Sequence, residues 1–251
     1  MRPDKSYLVC SLPRSGSWLL GFALEDSGLA GRPYPFFCPQ VMDFCSATWF
    51  LPSPPPLRDY VEAVRSNSAT GNGVVGVKIE WFDLVNLLDL VRAEWSIDPA
   101  GRERDILEDL LGDVKMIYLE RRDKLREVVS FCRALSTGEW ARPAGERGSW
   151  PAEEPDFARF DEFFDLLMAE DMEWKQFFRR NNYEPLLVEY EDYTRDQDSF
   201  AASVRRVLDY LDVSVPAGFT APAPRQQRQS DATSEEIIAR YQAWRAQTPA
   251  G

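Results

Sequence analysis

Near the start of the chain, in the stretch VCSLPRSGSWLL (residues 9–20), an apolar run breaks at Pro13-Arg14-Ser15-Gly16-Ser17 and resumes at Trp18. A strand, such a turn and then a helix form the layout of a phosphate-binding loop. The first backbone N–H groups of a helix lack partners, the helix dipole is positive there, and a glycine lets the loop curl closely round an anion. Ser15 and Ser17 can donate hydrogen bonds, and Arg14 keeps its charge at any working pH. The other reading is an ordinary strand-to-helix turn, with serines capping the helix and a solvated arginine. The stretch is not a Walker A loop, because neither the first glycine nor the Lys-Ser/Thr pair of that motif is present.

A second cluster lies in IYLERRDKLREVVS. Arg122, Arg126 and Ser130 recur at four-residue steps, so a helix starting near Asp123 would aim them at one anion or else present a solvated basic face. Arg121 and Arg122 end a strand, where open α/β sheets bind ligands. Gly71, Gly73 and Gly76 match the dinucleotide fingerprint by letter, but they precede a strand where the fingerprint must follow one. They read as a loop entering that strand.

Four β-rich runs, 6–12, 73–79, 114–120 and 185–190, are each followed by a helical pattern. Strands that are apolar throughout and alternate with helices indicate a parallel sheet covered on both faces. The expected fold is α/β and three-layered, with a mostly parallel central sheet, helices on both faces and a P-loop-like nucleotide-binding core. In residues 157–180, Phe160, Phe164, Leu167, Trp174 and Phe178 share one face of an amphipathic helix. In 123–136, Leu125, Val128, Val129, Cys132 and Leu135 share another. Thr233 and Glu236 form a capping box that starts a last helix at about Thr233. Residues 53–59 and 142–156, rich in Pro and Gly, read as loops, the second long enough to be a lid or a disordered segment.

With 251 residues and 44% hydrophobic content, one domain spanning 1–251 is expected. A net charge of −12 argues against nucleic-acid binding and anionic membrane surfaces, while leaving room for a local anion pocket. No run nears the roughly 20 apolar residues of a membrane span, and the N-terminus breaks its apolar run too early for a signal peptide. A cytoplasmic protein is expected. Cys10, Cys38, Cys45 and Cys132 show no metal-ligand spacing and read as reduced packing residues, so no metal site is expected. Histidine is absent, so acid–base chemistry falls to other side chains.

Taken in order, YLVCSLPRSGSWLL, IYLERRDKLREVVS, STGEW, LLVEYEDY and RQSDATSEEIIARY resemble the sulfotransferase superfamily that uses 3′-phosphoadenylyl sulfate (PAPS), and most of all its bacterial trehalose 2-sulfotransferase-like, Stf0-type branch. The matches run from near residue 6 to near residue 241. The resemblance implies that the 13–18 loop holds the 5′-phosphosulfate through Ser15, Gly16 and Ser17. Arg14 would stand close to the bridging oxygen, where animal cytosolic members usually have Lys. Trp18 would lie beside the adenine. Arg122 and Ser130 would bind the 3′-phosphate with help from Arg228. No metal is required. A homodimer is a further implication, since members of the branch can be dimeric.

The pattern breaks at GRPYPFFC. Trehalose-type members carry a catalytic Glu there, and this chain has Pro35, which cannot take a proton. Cytosolic members place Lys-x-His at the end of the next strand, where this chain reads Lys78-Ile79-Glu80. Strand alternation puts Lys78 and Glu80 on one side, as a replacement base with its partner or as a surface ion pair. Asp43 and Glu139 are further carboxylate candidates. Tyr34, Phe36, Phe37, Phe44, Trp49 and Phe50, with Trp140 and Trp150, read either as walls for a small-molecule acceptor with an aromatic or hydrophobic part, or as core and interface. Three functions follow: a PAPS-dependent sulfotransferase acting on a hydroxyl or amine, a catalytically altered nucleotide-binding relative, and a P-loop-like phosphotransferase. The last lacks its Walker lysine.

Overall fold

The computed structural model describes residues 5–98, 101–140, 150, 154–225 and 232–248. Its sheet has four parallel strands in the order β2-β1-β3-β4: β1 (Lys5–Ser11), β2 (Val74–Glu80), β3 (Val114–Glu120) and β4 (Leu186–Glu189). Each agrees with an expected run to within one or two residues. Register runs from Lys5 opposite Val74 to Ser11 opposite Glu80, with Ser11 also opposite Leu119. The carboxyl ends of the strands therefore share one edge of the sheet. After β1 the chain crosses to β2 on one side, then to β3 on the other, so the end of β1 sits at a topological switch point.

Alternation along the strands sorts the core into two layers. Leu8, Cys10, Val75, Val77, Ile79, Met116 and Tyr118 face one cluster. Its helical partners are α3 (Leu57–Ser68), α4 (Trp81–Trp95), α5 (Glu103–Leu111), α6 (Lys124–Thr137), α7 (Phe157–Arg180) and α10 (Ala232–Gln247). Tyr7, Val9, Ile117, Leu119 and Val188 face the other cluster, with α1 (Ser17–Asp26) and α9 (Gln197–Tyr210). The remaining helices are α2 (Pro39–Thr48) and the single turn α8 (Tyr190–Tyr193). The expected α/β layering, with a parallel sheet between helices, is what forms. No helix among the described residues is long and apolar enough to cross a membrane.

The α7 stripe is buried as read, except that Phe164 sits at the cluster's margin under the Arg245 guanidinium, 4.1 Å from its ring. On α6, Val128, Val129 and Cys132 are buried while Leu135 turns outward. Residues 57–59, read as loop, belong to α3, because Glu94 accepts a 2.8 Å bond from the Leu57 N–H and so caps a helix the preceding prolines cannot cap. Thr233 is the second residue of α10 and not its cap, since the helix already includes Ala232. Most of 142–156 lies outside the described residues; within it, Asp156 caps α7 by accepting from the Arg159 N–H. Gly73 turns the chain into β2, as expected, with its N–H bonded to the Thr70 carbonyl at 2.9 Å. Gly76 serves packing: a Cβ there would stand 2.6 Å from the Tyr7 ring, whose hydroxyl is tied to the Ala30 carbonyl. All four cysteines are free thiols, three of them buried.

Candidate active site

The 12–16 turn leaves the end of β1 in a conformation few sequences adopt. Arg14 has φ +66° and Gly16 φ +88°, both left-handed, flanking Ser15. Ser15 is wholly buried, and its hydroxyl donates to the Leu12 carbonyl at 2.7 Å, closing the turn. At Gly16 a Cβ would collide with Tyr190 and Tyr193, so both the backbone and the space require glycine. The Gly16 carbonyl accepts from the Leu19 and Leu20 N–H groups at 3.0 and 3.2 Å, which starts α1 without a side-chain cap or an acidic residue in its first turn. The N–H groups of Ser17 and Trp18 are left without helical partners.

These groups face a cavity of about 290 Å³, lined by Arg14, Gly16, Ser17, Trp18, Glu80 and Ser130 among others. Arg14 donates from Nε to the Ser130 hydroxyl at 3.0 Å and from Nη1 to the Trp140 carbonyl. Two groups that the resemblance assigns to opposite phosphates of the donor thus touch directly. Arg121, Arg126 and Arg133 also line the cavity. Arg121 is 6% exposed and lies over the Tyr190 ring at 4.7 Å, and its Nε makes no hydrogen bond within the protein. Wholly buried Glu127 answers its charge; burial pushes that carboxyl up to about 7, with Lys124 and Arg121 pulling it back. Arg126 is held between Asp123, at 2.8 Å, and Glu235 of α10.

Arg122 is not part of this lining. Its side chain is half exposed and points into the acidic group of Glu189, Glu191 and Asp192, with the Asp192 contact at 3.1 Å. Glu191 accepts from the backbone N–H groups of both Arg122 and Asp123, fixing the turn so that Arg121 goes inward and Arg122 outward. Arg228 lies outside the described residues; nearby Arg225 is anchored to Asp26 at 2.6 Å and to Glu25 at 3.2 Å.

At the other end of the cavity Lys78 and Glu80 do share one side of β2. Lys78 is 3% exposed, and its Nζ donates to Glu80 Oε1 at 2.7 Å. Glu80 reaches the cavity. Trp18 stands here, its ring 5.6 Å from the Lys78 ammonium and packed on Phe22 and Tyr34 at 5.4 and 5.7 Å. Two further carboxyls gather round this corner, and both escaped the sequence reading. Asp83, one turn into α4, is pushed up to about 6 by burial and then by the Glu80 charge. Glu170, on α7, is pushed up to about 7 by burial and then by Glu80 and Asp83. Asp83 carried a signal, its three-residue spacing from Glu80 at a helix start. Glu170 carried none, because only the packing of α7 brings it here. Asp43 and Glu139 do not line the cavity.

The 34–37 segment, where the resemblance implies a catalytic Glu and this chain has Pro35, packs as part of the core. The Tyr34 carbonyl accepts from the Lys78 N–H at 3.0 Å, laying the segment along β2, and Phe36 and Phe37 are buried in the core. Phe44 and Phe50 point outward, 70% and 94% exposed. None of the six aromatics of 34–50 lines the cavity, whereas Trp18 and Trp140 do. Trp150 instead packs under Arg133, at 4.8 Å. Among the described residues no group of three or more His, Cys, Asp or Glu is placed to hold a metal ion.

Two curated relatives, both named trehalose 2-sulfotransferase, are similar along nearly their whole length. The one from Mycolicibacterium smegmatis is 29% identical over 265 residues, covering 94% of each chain. The one from Mycobacterium tuberculosis is 28% identical over 271 residues, covering 96% of each. Among solved structures, the sulfotransferase domain from the Synechococcus PCC 7002 olefin synthase aligns with 100% of this chain and 90% of that one, at 17% identity and a TM-score of 0.41. The sequence profile of the Stf0 sulphotransferases matches residues 6–244, a span that takes in the 12–16 turn, strands β2 to β4 with all but the first residue of β1, and every residue of the cavity lining. The chain therefore belongs to the Stf0 sulphotransferase family.

Proposed function

We propose that the protein, acting as a single domain, transfers a sulfuryl group from PAPS to a hydroxyl of a small-molecule acceptor. One observation carries the reading: the 13–17 loop, Arg121 just after β3, the arginines of α6, and Glu80 with buried Lys78 behind it meet at one cavity at the carboxyl end of β1. The residues fit an anionic nucleotide. Free N–H groups at the start of α1 meet a guanidinium whose buried Nε lacks a protein partner. In this reading the loop and Ser17 hold the 5′-phosphosulfate, and Ser130 with Arg121 and Arg126 receives the 3′-phosphate. Arg122 is replaced in that role by its inward neighbour, and Arg228 adds a cation from the C-terminal block.

The acceptor oxygen bonds to sulfur as the bond from sulfur to the bridging oxygen breaks. The electron pair of that bond stays on the 5′-phosphate beside Arg14, and the hydroxyl proton passes to Glu80. Lys78 neutralises charge on the sulfuryl oxygens. The products are a sulfate ester and adenosine 3′,5′-bisphosphate. Because both named relatives are trehalose sulfotransferases, a sugar hydroxyl is the first acceptor class to test. Support for an aromatic acceptor rests on Trp18 and Trp140 alone.

Thermal unfolding tests the donor assignment. Adenosine 3′,5′-bisphosphate at about 100 times its dissociation constant should add about 2.7 kcal/mol of stability. ATP with Mg²⁺ should add much less. Stabilisation by ATP–Mg²⁺ alone would replace the sulfotransferase reading with a phosphotransferase one.

A further inference from the structure

We infer that Tyr193 and Arg121 are positioning residues that pin two carbonyls of the donor loop, Tyr193 so as to aim the Ser17 N–H at the donor's 5′-phosphosulfate and Arg121 so as to hold the left-handed Arg14 turn, whose Ser15 N–H is tied back to the Leu12 carbonyl. The inference rests on the donor-loop reading above, and it gives the LLVEYEDY block a task of its own.

The Tyr193 side chain is wholly buried, and its hydroxyl donates to the Gly16 carbonyl at 2.7 Å. Arg121 Nη1 donates to the Arg14 carbonyl at 3.2 Å. In a trans peptide the C=O and the following N–H point in opposite directions. Holding the Gly16 carbonyl toward α8 and the first turn of α1 therefore turns the Ser17 N–H the other way, out of the helix start and toward the cavity. Left-handed residues on either side of Ser15 build a backbone concavity of the kind that binds anions. Arg14 is not glycine, and a non-glycine residue at φ +66° persists only where its surroundings over-determine it. The two pins supply that constraint.

They also form one assembly. The Arg121 guanidinium lies 4.7 Å over the Tyr190 ring, and Tyr190 packs edge-on against Tyr193 at 5.8 Å. A Cβ at Gly16 would collide with both tyrosines, so the loop is seated against this surface without slack. β3 contributes one pin through its end, and β4 delivers the other through α8, so the sheet's edge itself sets the loop.

The test compares two ligands that differ only in the group the loop would hold. Dissociation constants for adenosine 3′,5′-bisphosphate and adenosine 3′-phosphate are measured by calorimetry on the full chain and on Tyr193→Phe, which keeps the ring and removes the hydroxyl. The variant should bind the bisphosphate about tenfold more weakly, the scale of one hydrogen bond, and bind adenosine 3′-phosphate as the parent does. A purely structural role would weaken both equally. Should Tyr193→Phe not fold, Arg121→Lys is read the same way, because any contact of Arg121 with the 3′-phosphate cancels in the affinity ratio. An unchanged ratio in the variant that folds overturns the pins and leaves the donor reading standing. If the parent shows no preference for the bisphosphate, the donor-loop reading fails and the pins fail with it.

Discussion

Arg14→Ala should lower kcat/KM for sulfuryl transfer by about 100- to 1,000-fold, the range seen when one preorganised donor on a developing anion is removed. The guanidinium is held on both sides before any substrate arrives, by the Ser130 hydroxyl at 3.0 Å and by the Trp140 carbonyl. In the proposed reaction the charge that develops as the sulfur–oxygen bond breaks collects on the leaving phosphate beside it. Truncation removes that stabilisation and leaves a polar hollow for water. Arg14→Lys should recover part of the rate: it restores the charge, but a single ammonium cannot reproduce the planar fork that reaches Ser130 and Trp140 together. Steady-state kinetics on the two variants provides the check. An Ala variant as fast as the parent would remove Arg14 from the reaction.

Glu80→Gln should cost about 100- to 10,000-fold in kcat while leaving the affinity for adenosine 3′,5′-bisphosphate unchanged, because it removes the proton acceptor and no donor contact. Gln is the informative change. Lys78 is 3% exposed and its Nζ bonds to Glu80 Oε1 at 2.7 Å, and an amide oxygen can keep that bond where Ala would leave the ammonium with no acceptor. Gln still leaves Lys78 short of a countercharge, a loss on the scale of a few kcal/mol, so the variant should melt earlier than the parent. A rate equal to the parent's would take the base role from Glu80.

What the chain disclosed in advance followed from local physics. Its four strands could be read because a parallel strand buried on both faces is apolar throughout, and α7 because its aromatics repeat at helical spacing. The turn at 13–17 could be read because Pro13 and Gly16 interrupt an apolar run just where α1 begins. The Lys78–Glu80 pair is singled out by the Lys-x-His of the cytosolic relatives, and strand alternation puts its two members on one side. The rest depended on contacts between distant segments. Whether Arg121 or Arg122 enters the cavity is decided by Glu191, which grips the backbone after β3 from the turn that follows β4. The aromatics of 34–37 went to the core because that segment lies along β2, a pairing no local pattern encodes. Glu170 and Tyr193 reach the site only through the packing of α7 and α8. Trp18 matches the motif in sequence, yet its ring lies beside Lys78 at the Glu80 end.

Sulfuryl transfer from PAPS to a small-molecule hydroxyl can be followed by incubating the protein with radiosulfur-labelled PAPS and a panel of sugars headed by trehalose. Label should appear in an acceptor as a sulfate ester, with one equivalent of adenosine 3′,5′-bisphosphate released for each ester formed. Tight binding of the bisphosphate with no transfer to any sugar, phenol or amine acceptor would contradict it, and would make the protein a nucleotide-binding relative that has lost the reaction along with its usual Glu.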